Sequence, residues 1–148
     1  MITVNKMKLT VPSKSANEGF VRAVAGCFAA QLDPPCDVLA DIRTAVSEAV
    51  TNCIVHAYKE GPGLIYITAK LTADGMFCIK IADKGCGIAD VEQAMQPLFT
   101  TASAQERSGL GFTMMQNFMD SVAVRSAPGK GTCVTMKKRV GQPNAGGR

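Results

Sequence analysis

No stretch of this sequence approaches the roughly 18–20 consecutive apolar residues that a bilayer-spanning helix needs. The opening residues Met1-Ile-Thr-Val-Asn-Lys6 lack the basic, apolar and small-residue order of a secretory leader, so the expectation is a cytoplasmic protein with no membrane partner. None of the six cysteines forms a C-x-x-C pair; they lie scattered, mostly among apolar neighbours, and read as reduced packing thiols rather than metal ligands. Cys86 stands apart because it falls inside a glycine motif. Charge of one sign is also scarce: the net charge of +4 is modest and the basic residues are dispersed, which gives no ground for direct nucleic-acid contact. The run Lys137-Lys138-Arg139 reads as a solvated strand end.

Three familiar nucleotide signatures are missing. There is no G-x-x-x-x-G-K-[ST] loop, because Val124 stands where the first glycine before Gly129-Lys130 belongs and Gly131 follows the lysine. The sole histidine is His56, so a His-Arg-Asp catalytic loop is excluded. Asp83-Lys-Gly85-Cys-Gly87 lacks the third glycine and the strand-to-helix setting of a dinucleotide fingerprint.

What remains is a chain of 148 residues, 47% hydrophobic and 19% charged, enough for one domain with a sizeable core. We expect that domain over residues 1–140, with 141–148 a frayed tail, and no internal repeat. Lys6–Val11 alternates as a short strand closed by Pro12; Ser15-x-x-Glu18 has capping-box spacing ahead of a helix carrying Phe20, Val21, Val24, Phe28 and Leu32, which Asp33-Pro34-Pro35 ends. A second helix is expected from Asp37 to about Tyr58, with Leu39, Ile42, Val46, Ala49, Val50, Cys53 and Ile54 on its apolar face. Leu64–Leu71 and Met76–Asp83 form a hairpin about Asp74-Gly75. Residues 88–111 lose all pattern and read as a lid or binding loop. A helix from Gly111 through Phe112, Met115, Phe118 and Met119 leads to a second hairpin, Val122–Arg125 and Thr132–Arg139, about Pro128-Gly129-Lys130-Gly131. The fold class that follows is α+β: a two-layer sandwich, its mixed, mostly antiparallel sheet carrying helices on one face.

Glu48, Asn52 and His56 recur every fourth residue, so a carboxylate, a carboxamide and an imidazole project the same way from an otherwise apolar helix. The Asn52 amide oxygen suits Mg²⁺ beside phosphate oxygens, and the Glu48 carboxylate can accept a proton from an attacking hydroxyl. Either residue could equally hydrogen-bond locally, and His56 could be a satisfied core histidine or a support for the site. Asp83 ends an alternating strand, where it can accept from an exocyclic amine such as adenine's, while Gly85 and Gly87 let the backbone turn against the base. Gly109-Leu110-Gly111 precedes a helix whose N–H groups can face phosphates. Arg107 could neutralise charge on a transferred phosphoryl group or be a solvated lid residue, and the Thr132 hydroxyl could brace the Asp83–adenine pair or open a strand.

The ordered set, polar helix then Asp-x-Gly-x-Gly then a second Gly-x-Gly, resembles the nucleotide-binding superfamily shared by gyrase, the heat-shock chaperone ATPase, histidine kinases and mismatch-repair ATPases. A closer resemblance lies in Ser47-Glu48-Ala49-Val50-Thr51-Asn52 with His56 and Tyr58, in Gln96-Pro97-Leu98-Phe99-Thr100-Thr101, in Glu106-Arg107-Ser108-Gly109-Leu110-Gly111-Phe112-Thr113 and in Asn117-Phe118-Met119-Asp120. On these, from about Lys6 to Lys138, the chain resembles the anti-sigma F factors, the sporulation serine-protein kinases. The resemblance implies a Bergerat-type ATP-binding fold with an ATP lid, and a homodimer. That dimer sequesters a sporulation sigma factor when ATP is bound and phosphorylates a serine of an anti-anti-sigma factor. It implies Glu48 as base, Asn52 as Mg²⁺ ligand and Asp83 as adenine anchor, and Arg107 is expected with Glu48 among the catalytic residues. The nucleotide shell it implies is His56, Gly85, Gly87, Thr100, Thr101, Ser108, Gly109, Leu110, Gly111 and Thr132. Asn17-Glu18-x-Phe20-x-Arg22 matches the family's partner-binding surface, with Arg22 as the contact. Two positions depart from the pattern: Ala57, where a glycine usually follows the histidine, and Cys86, at a variable place. A non-catalytic ATP-dependent sigma-binding module and a histidine-kinase-type catalytic domain are the alternative readings; Glu48 speaks against the first, and the lack of a phospho-accepting helix against the second.

Overall fold

The computed structural model describes residues 2–96 and 108–141. Five strands, β1 (Thr3–Pro12), β2 (Leu64–Thr72), β3 (Met76–Asp83), β4 (Ser121–Ala127) and β5 (Gly131–Arg139), form one sheet in the order β1-β2-β3-β5-β4. Every neighbouring pair is antiparallel, so the expected mixed sheet is replaced by a purely antiparallel one. Helices α1 (Ala16–Ala29), α2 (Cys36–Asn52), α3 (Val91–Ala94) and α4 (Ser108–Phe118) complete the domain. The α+β class follows directly from the period-2 pattern: Ile65, Ile67, Ala69 and Leu71 of β2 and Phe77, Ile79 and Ile81 of β3 are all buried on one face. Against them pack Val21, Ala25 and Phe28 of α1, Ile42, Val46, Ala49 and Val50 of α2, and Phe112 and Met115 of α4, forming one continuous core. Each large side chain buried there contributes roughly 1.5–3 kcal/mol.

Several boundaries differ from the pattern reading. β1 starts at Thr3 because its backbone pairs with β2 as far as Thr72, with a register shift between Thr3 and Asn5. The capping box does not form: Ser15 is helical and makes no side-chain cap bond. Glu18 turns instead to Ser47, whose hydroxyl donates to it at 2.6 Å, and to Arg22 at 3.2 Å. The buried side of α1 runs through Val21, Ala25, Phe28 and Ala29, leaving Phe20 50% exposed, because small residues such as Gly26 bring α1 close to α2, where a Cβ would lie 3.0 Å from Arg43. Residues 88–111 are not wholly irregular, since α3 lies within them, capped by Asp90, whose carboxylate accepts from the Gln93 N–H at 3.0 Å. α4 begins at Ser108 rather than Gly111, which places Gly109 and Gly111 inside its first turns. Pro97, Thr100, Thr101, Arg107 and the tail 142–148 lie outside the described residues, as do the side chains of Ser108 and Leu110. None of the described helices is long and apolar enough to cross a membrane.

Candidate nucleotide site

α2 does not end cleanly. After Asn52 it widens into a π turn, Cys53–Ala57, and Tyr58 then leaves in an extended conformation. The Tyr58 hydroxyl donates to the Leu64 carbonyl at 2.6 Å and accepts from the Lys84 N–H at 2.8 Å, tying the end of the helix to β2 and to the exit of β3. The widened turn thereby lies over the end of β3, between α2 and α4. There a cavity of about 380 Å³ opens, lined by Asn52, Cys53, His56, Asp83, Gly87 and Thr132 together with Ile81, Ile88, Phe112 and Val134. An apolar pocket with a few convergent polar groups is the usual architecture of a small-molecule site.

Asp83 is 8% exposed, and both of its carboxylate oxygens accept hydrogen bonds. One carboxylate oxygen accepts from the backbone N–H groups of Gly85 at 2.9 Å and Thr132 at 3.2 Å; the other takes the Cys53 thiol at 3.5 Å. Burial, reinforced by the Asp83 charge and this hydrogen bond, pushes the Cys53 thiol far above its ordinary range, so it stays a protonated donor. The Thr132 hydroxyl does not reach Asp83; it lies 2.8 Å from the Ser126 hydroxyl, which also accepts from the Ile88 N–H at 2.7 Å. Thr132 braces the site through its backbone rather than its side chain, and Ser126 secures the chain leaving the glycine motif.

The glycines act through space. A Cβ on Gly85 would stand 2.1 Å from the Ala57 carbonyl oxygen and 2.7 Å from the Ala57 methyl, so Ala57 in place of a glycine makes this contact tighter. The next residue, Cys86, donates its N–H to that same carbonyl at 2.7 Å. Gly87 adopts φ +77°, and its Cβ would stand 2.0 Å from the Ala127 carbonyl. Gly87→Ala is therefore expected to destabilise the fold by roughly 1–3 kcal/mol, seen as a lower denaturation midpoint; an unchanged midpoint would contradict the close approach.

At the other end of the site, Gly111 of α4 faces α2. A Cβ on it would lie 3.3 Å from a Glu48 carboxylate oxygen and 3.4 Å from the Asn52 amide oxygen. The Asn52 amide nitrogen is buried and has no hydrogen-bond partner among the described residues. An orphaned buried amide of this kind calls for a partner beyond the described residues. Among the described residues no group of three or more His, Cys, Asp and Glu is placed to hold a metal, so a cation here would take most of its ligands from elsewhere.

The structure thus brings Asn52, His56, Asp83, Gly87 and Thr132 onto one cavity, with Gly85 packed against Ala57 and with Glu48 and Asn52 both facing Gly111. Glu48 itself is not part of the cavity lining. Arg22 stands apart on α1, half-exposed and paired with Glu18. Cys53 and Ser126 belong to the site without any motif marking them. The helical period places Cys53 on the apolar face of α2, where it reads as packing alone. Ser126 lies just past the alternation that ends at Arg125, although the β4–β5 register sets it directly across from Thr132.

The model of the histidine kinase-like ATPase domain matches residues 11–138. An anti-sigma F factor from Caldanaerobacter subterraneus subsp. tengcongensis is 56% identical over 138 residues, covering 93% of this chain and 96% of the relative. The anti-sigma F factor of Heyndrickxia coagulans is 48% identical over 142 residues, covering 95% and 97%. The chain belongs to the anti-sigma F factor family. It is built on the histidine kinase-like ATPase domain, and solved structures carry the same fold at low identity. The RsbU and RsbW domains of a Mycobacterium tuberculosis protein align with a TM-score of 0.69 at 22% identity over 95% of this chain and 33% of that one. The histidine kinase domain of a blue-light activated kinase from Erythrobacter litoralis aligns at 0.58 and 16%, covering 88% and 62%.

Proposed function

We propose that the chain binds ATP with Mg²⁺ in the cavity between α2, β3 and α4, and phosphorylates a serine of an anti-anti-sigma factor. In its ATP-bound form it holds a sporulation sigma factor inactive, acting in the cytoplasm as a homodimer. The observation that carries this reading is that Glu48 and Asn52 of α2 both face Gly111 of α4, with the Asn52 amide nitrogen buried and without a partner among the described residues at the cavity wall. ATP would supply the phosphoryl group. The buried Asp83 carboxylate offers an acceptor to the adenine amine, with His56, Gly85, Gly87 and Thr132 around it. N–H groups at the start of α4, from Ser108 through Gly111, would face the phosphates, and Thr100, Thr101 and Arg107 complete the proposed shell. The Asn52 amide oxygen would hold Mg²⁺, which takes oxygen ligands and keeps several from phosphate and water. Glu48 would receive the proton of the serine hydroxyl as its oxygen bonds to the terminal phosphorus and the bond to ADP breaks. Incubating the purified chain with labelled ATP and a candidate anti-anti-sigma protein tests the proposal; label on the protein supports it, and ATP binding without transfer would leave a non-catalytic sigma-binding module.

The amide role has its own test. Asn52→Ala should weaken Mg·ATP by about tenfold, ~1.4 kcal/mol, and metal-free ATP by less. Equal weakening in titration calorimetry with and without Mg²⁺ would remove Asn52 from the metal.

For the partner surface, Arg22 is exposed on α1, is oriented by Glu18 at 3.2 Å and does not line the nucleotide cavity. Arg22→Ala should weaken sigma-factor and anti-anti-sigma binding together, by about 2 kcal/mol or more if the residue is a hot spot, while ATP affinity stays constant. Unchanged binding of both proteins would return Arg22 to an ordinary solvated position. The homodimer finds support in the half-exposed Phe20, which lines a shallow apolar groove with Met7, Val24 and Cys27 beside the unpaired β1 edge.

A further inference from the structure

The basic residues that look dispersed along the sequence converge in space. The side of the sheet away from the helices is organised into three transverse rows by strand register. One runs Lys6–Lys70–Cys78–Lys137–Ser121, the next Lys8–Thr68–Lys80–Thr135–Ala123, and the third Thr10–Tyr66–Ala82–Cys133–Arg125. Six cations thus project from one face, and Lys84, just beyond β3, adds a seventh with its ammonium 5.1 Å from the Tyr66 ring. All seven are exposed, and none makes an ion pair among the described residues. Within the strands Asp83 is the sole acidic residue and points inward; Glu18, Asp37, Asp41 and Glu48 lie in the helical layer, and Asp120, beside Ser121, has its carboxylate on the Arg139 N–H. Lys138, adjacent to Lys137, faces the helices and is neutralised by Asp41 at 3.7 Å. The modest net charge of +4 therefore hides a strongly polar molecule.

We propose that this open sheet face is a docking surface for the phosphate backbone of duplex nucleic acid, bound without regard to sequence. Lys6 and Lys70 are directly opposed across β1 and β2, a like-charge pairing that disfavours the sheet until an anion spans it. Thr68 lies between Lys8 and Lys80, and Thr135 follows Lys80, so hydroxyl donors alternate with ammonium groups as phosphate oxygens require. The face has one aromatic ring, Tyr66, already covered by Lys84, so it offers no platform for stacking unpaired bases and favours a duplex over a single strand. An anionic membrane is disfavoured, because none of the exposed large apolar residues stands in the three rows, although Leu64, paired with Pro12 one row beyond Tyr66, projects from the same face. The surface is also separate from the nucleotide cavity and from Arg22.

The test uses the full chain and a fluorescein-labelled, mixed-sequence 20-base-pair DNA duplex, titrated from low to moderate KCl. Binding is expected to fall with salt along a log–log slope between about −4 and −6, each neutralised lysine removing about 0.9 from it. A variant carrying Lys6→Gln, Lys8→Gln, Lys80→Gln and Lys137→Gln should lose most of the low-salt affinity and about 3–4 from the slope, with its melting temperature and ATP affinity unchanged. A control carrying Lys14→Gln and Arg43→Gln, cations off this face, should bind as the parent does. No duplex binding at low salt would overturn the proposal and leave the lysines as guards of the β1 edge. Equal loss in the control would overturn it as nonspecific charge. Binding of phosphatidylserine vesicles, but not of the duplex, lost in the four-lysine variant would overturn it in favour of a membrane surface.

Discussion

Glu48→Gln is expected to keep ATP binding and to lower phosphoryl transfer to an anti-anti-sigma protein by about 10²–10⁴-fold, the usual contribution of a general base. Glutamine keeps the volume and the position over Gly111 but presents an amide in place of the basic carboxylate, so a serine proton has nowhere to go as its oxygen bonds to phosphorus. The case for Glu48 is geometric. Its carboxylate and the Asn52 amide flank the same point on α4, within 3.3 and 3.4 Å of a Gly111 Cβ, so a group reaching Glu48 also reaches whatever Asn52 holds. Glu48 lies outside the cavity lining, as befits a residue acting on an incoming protein side chain rather than on the nucleotide. Two measurements on one preparation decide it: ATP affinity by calorimetry and transfer by single-turnover labelling. Near-normal transfer at full ATP occupancy would remove Glu48 from the chemistry; loss of ATP binding as well would mean that it shapes the site instead.

The parts of the site legible in the sequence are those that a local period can carry. Helical pitch alone aligns Glu48, Asn52 and His56, and strand alternation alone puts Asp83 at the inward end of β3, because both depend on neighbours a few residues away. The core faces of β2 and β3 are equally plain. What stays hidden depends on distant partners. The π turn Cys53–Ala57 is drawn out where Tyr58 anchors to Leu64 and Lys84, residues that periodicity does not connect to it. The Ser15-x-x-Glu18 spacing satisfies a local rule, yet Glu18 is taken by Ser47 and Arg22, a tertiary contact overriding a cap. The same limit makes the basic charge look dispersed: lysines from four strands become neighbours through register alone, and no window along the chain contains them together. Cys53 is the clearest case within the site. It does lie on the apolar face of α2, but only the arrival of β3 turns that packing thiol into a hydrogen-bond donor for Asp83.

That contact sharpens the expected consequence of Asp83→Asn. In the parent, one carboxylate oxygen is held by two backbone N–H groups, and the other, beside the Cys53 thiol, is an acceptor at the cavity wall. Asparagine must keep its oxygen toward Gly85 and Thr132, because turning the amide around would set its NH₂ against two backbone donors. The NH₂ group is thereby forced toward Cys53, itself a donor since burial, the largest cause of its raised pKa, keeps its proton on without the Asp83 charge. An adenine amine entering the cavity then meets a donor where it needs an acceptor. Hydrogen bonds to charged groups are worth roughly 1.5–3 kcal/mol, so ATP affinity should fall by about 10–150-fold while the backbone geometry held by Gly85 and Thr132 survives. Calorimetric titration of ATP, paired with the melting temperature of the nucleotide-free protein, separates the possibilities. Unchanged affinity would show that Asp83 does not contact the base, and a fall in melting temperature that accounts for the whole loss would make it a structural tie between β3 and β5. A large loss of affinity with a nearly constant melting temperature is the expected result, because the two backbone bonds survive the substitution and the acceptor does not.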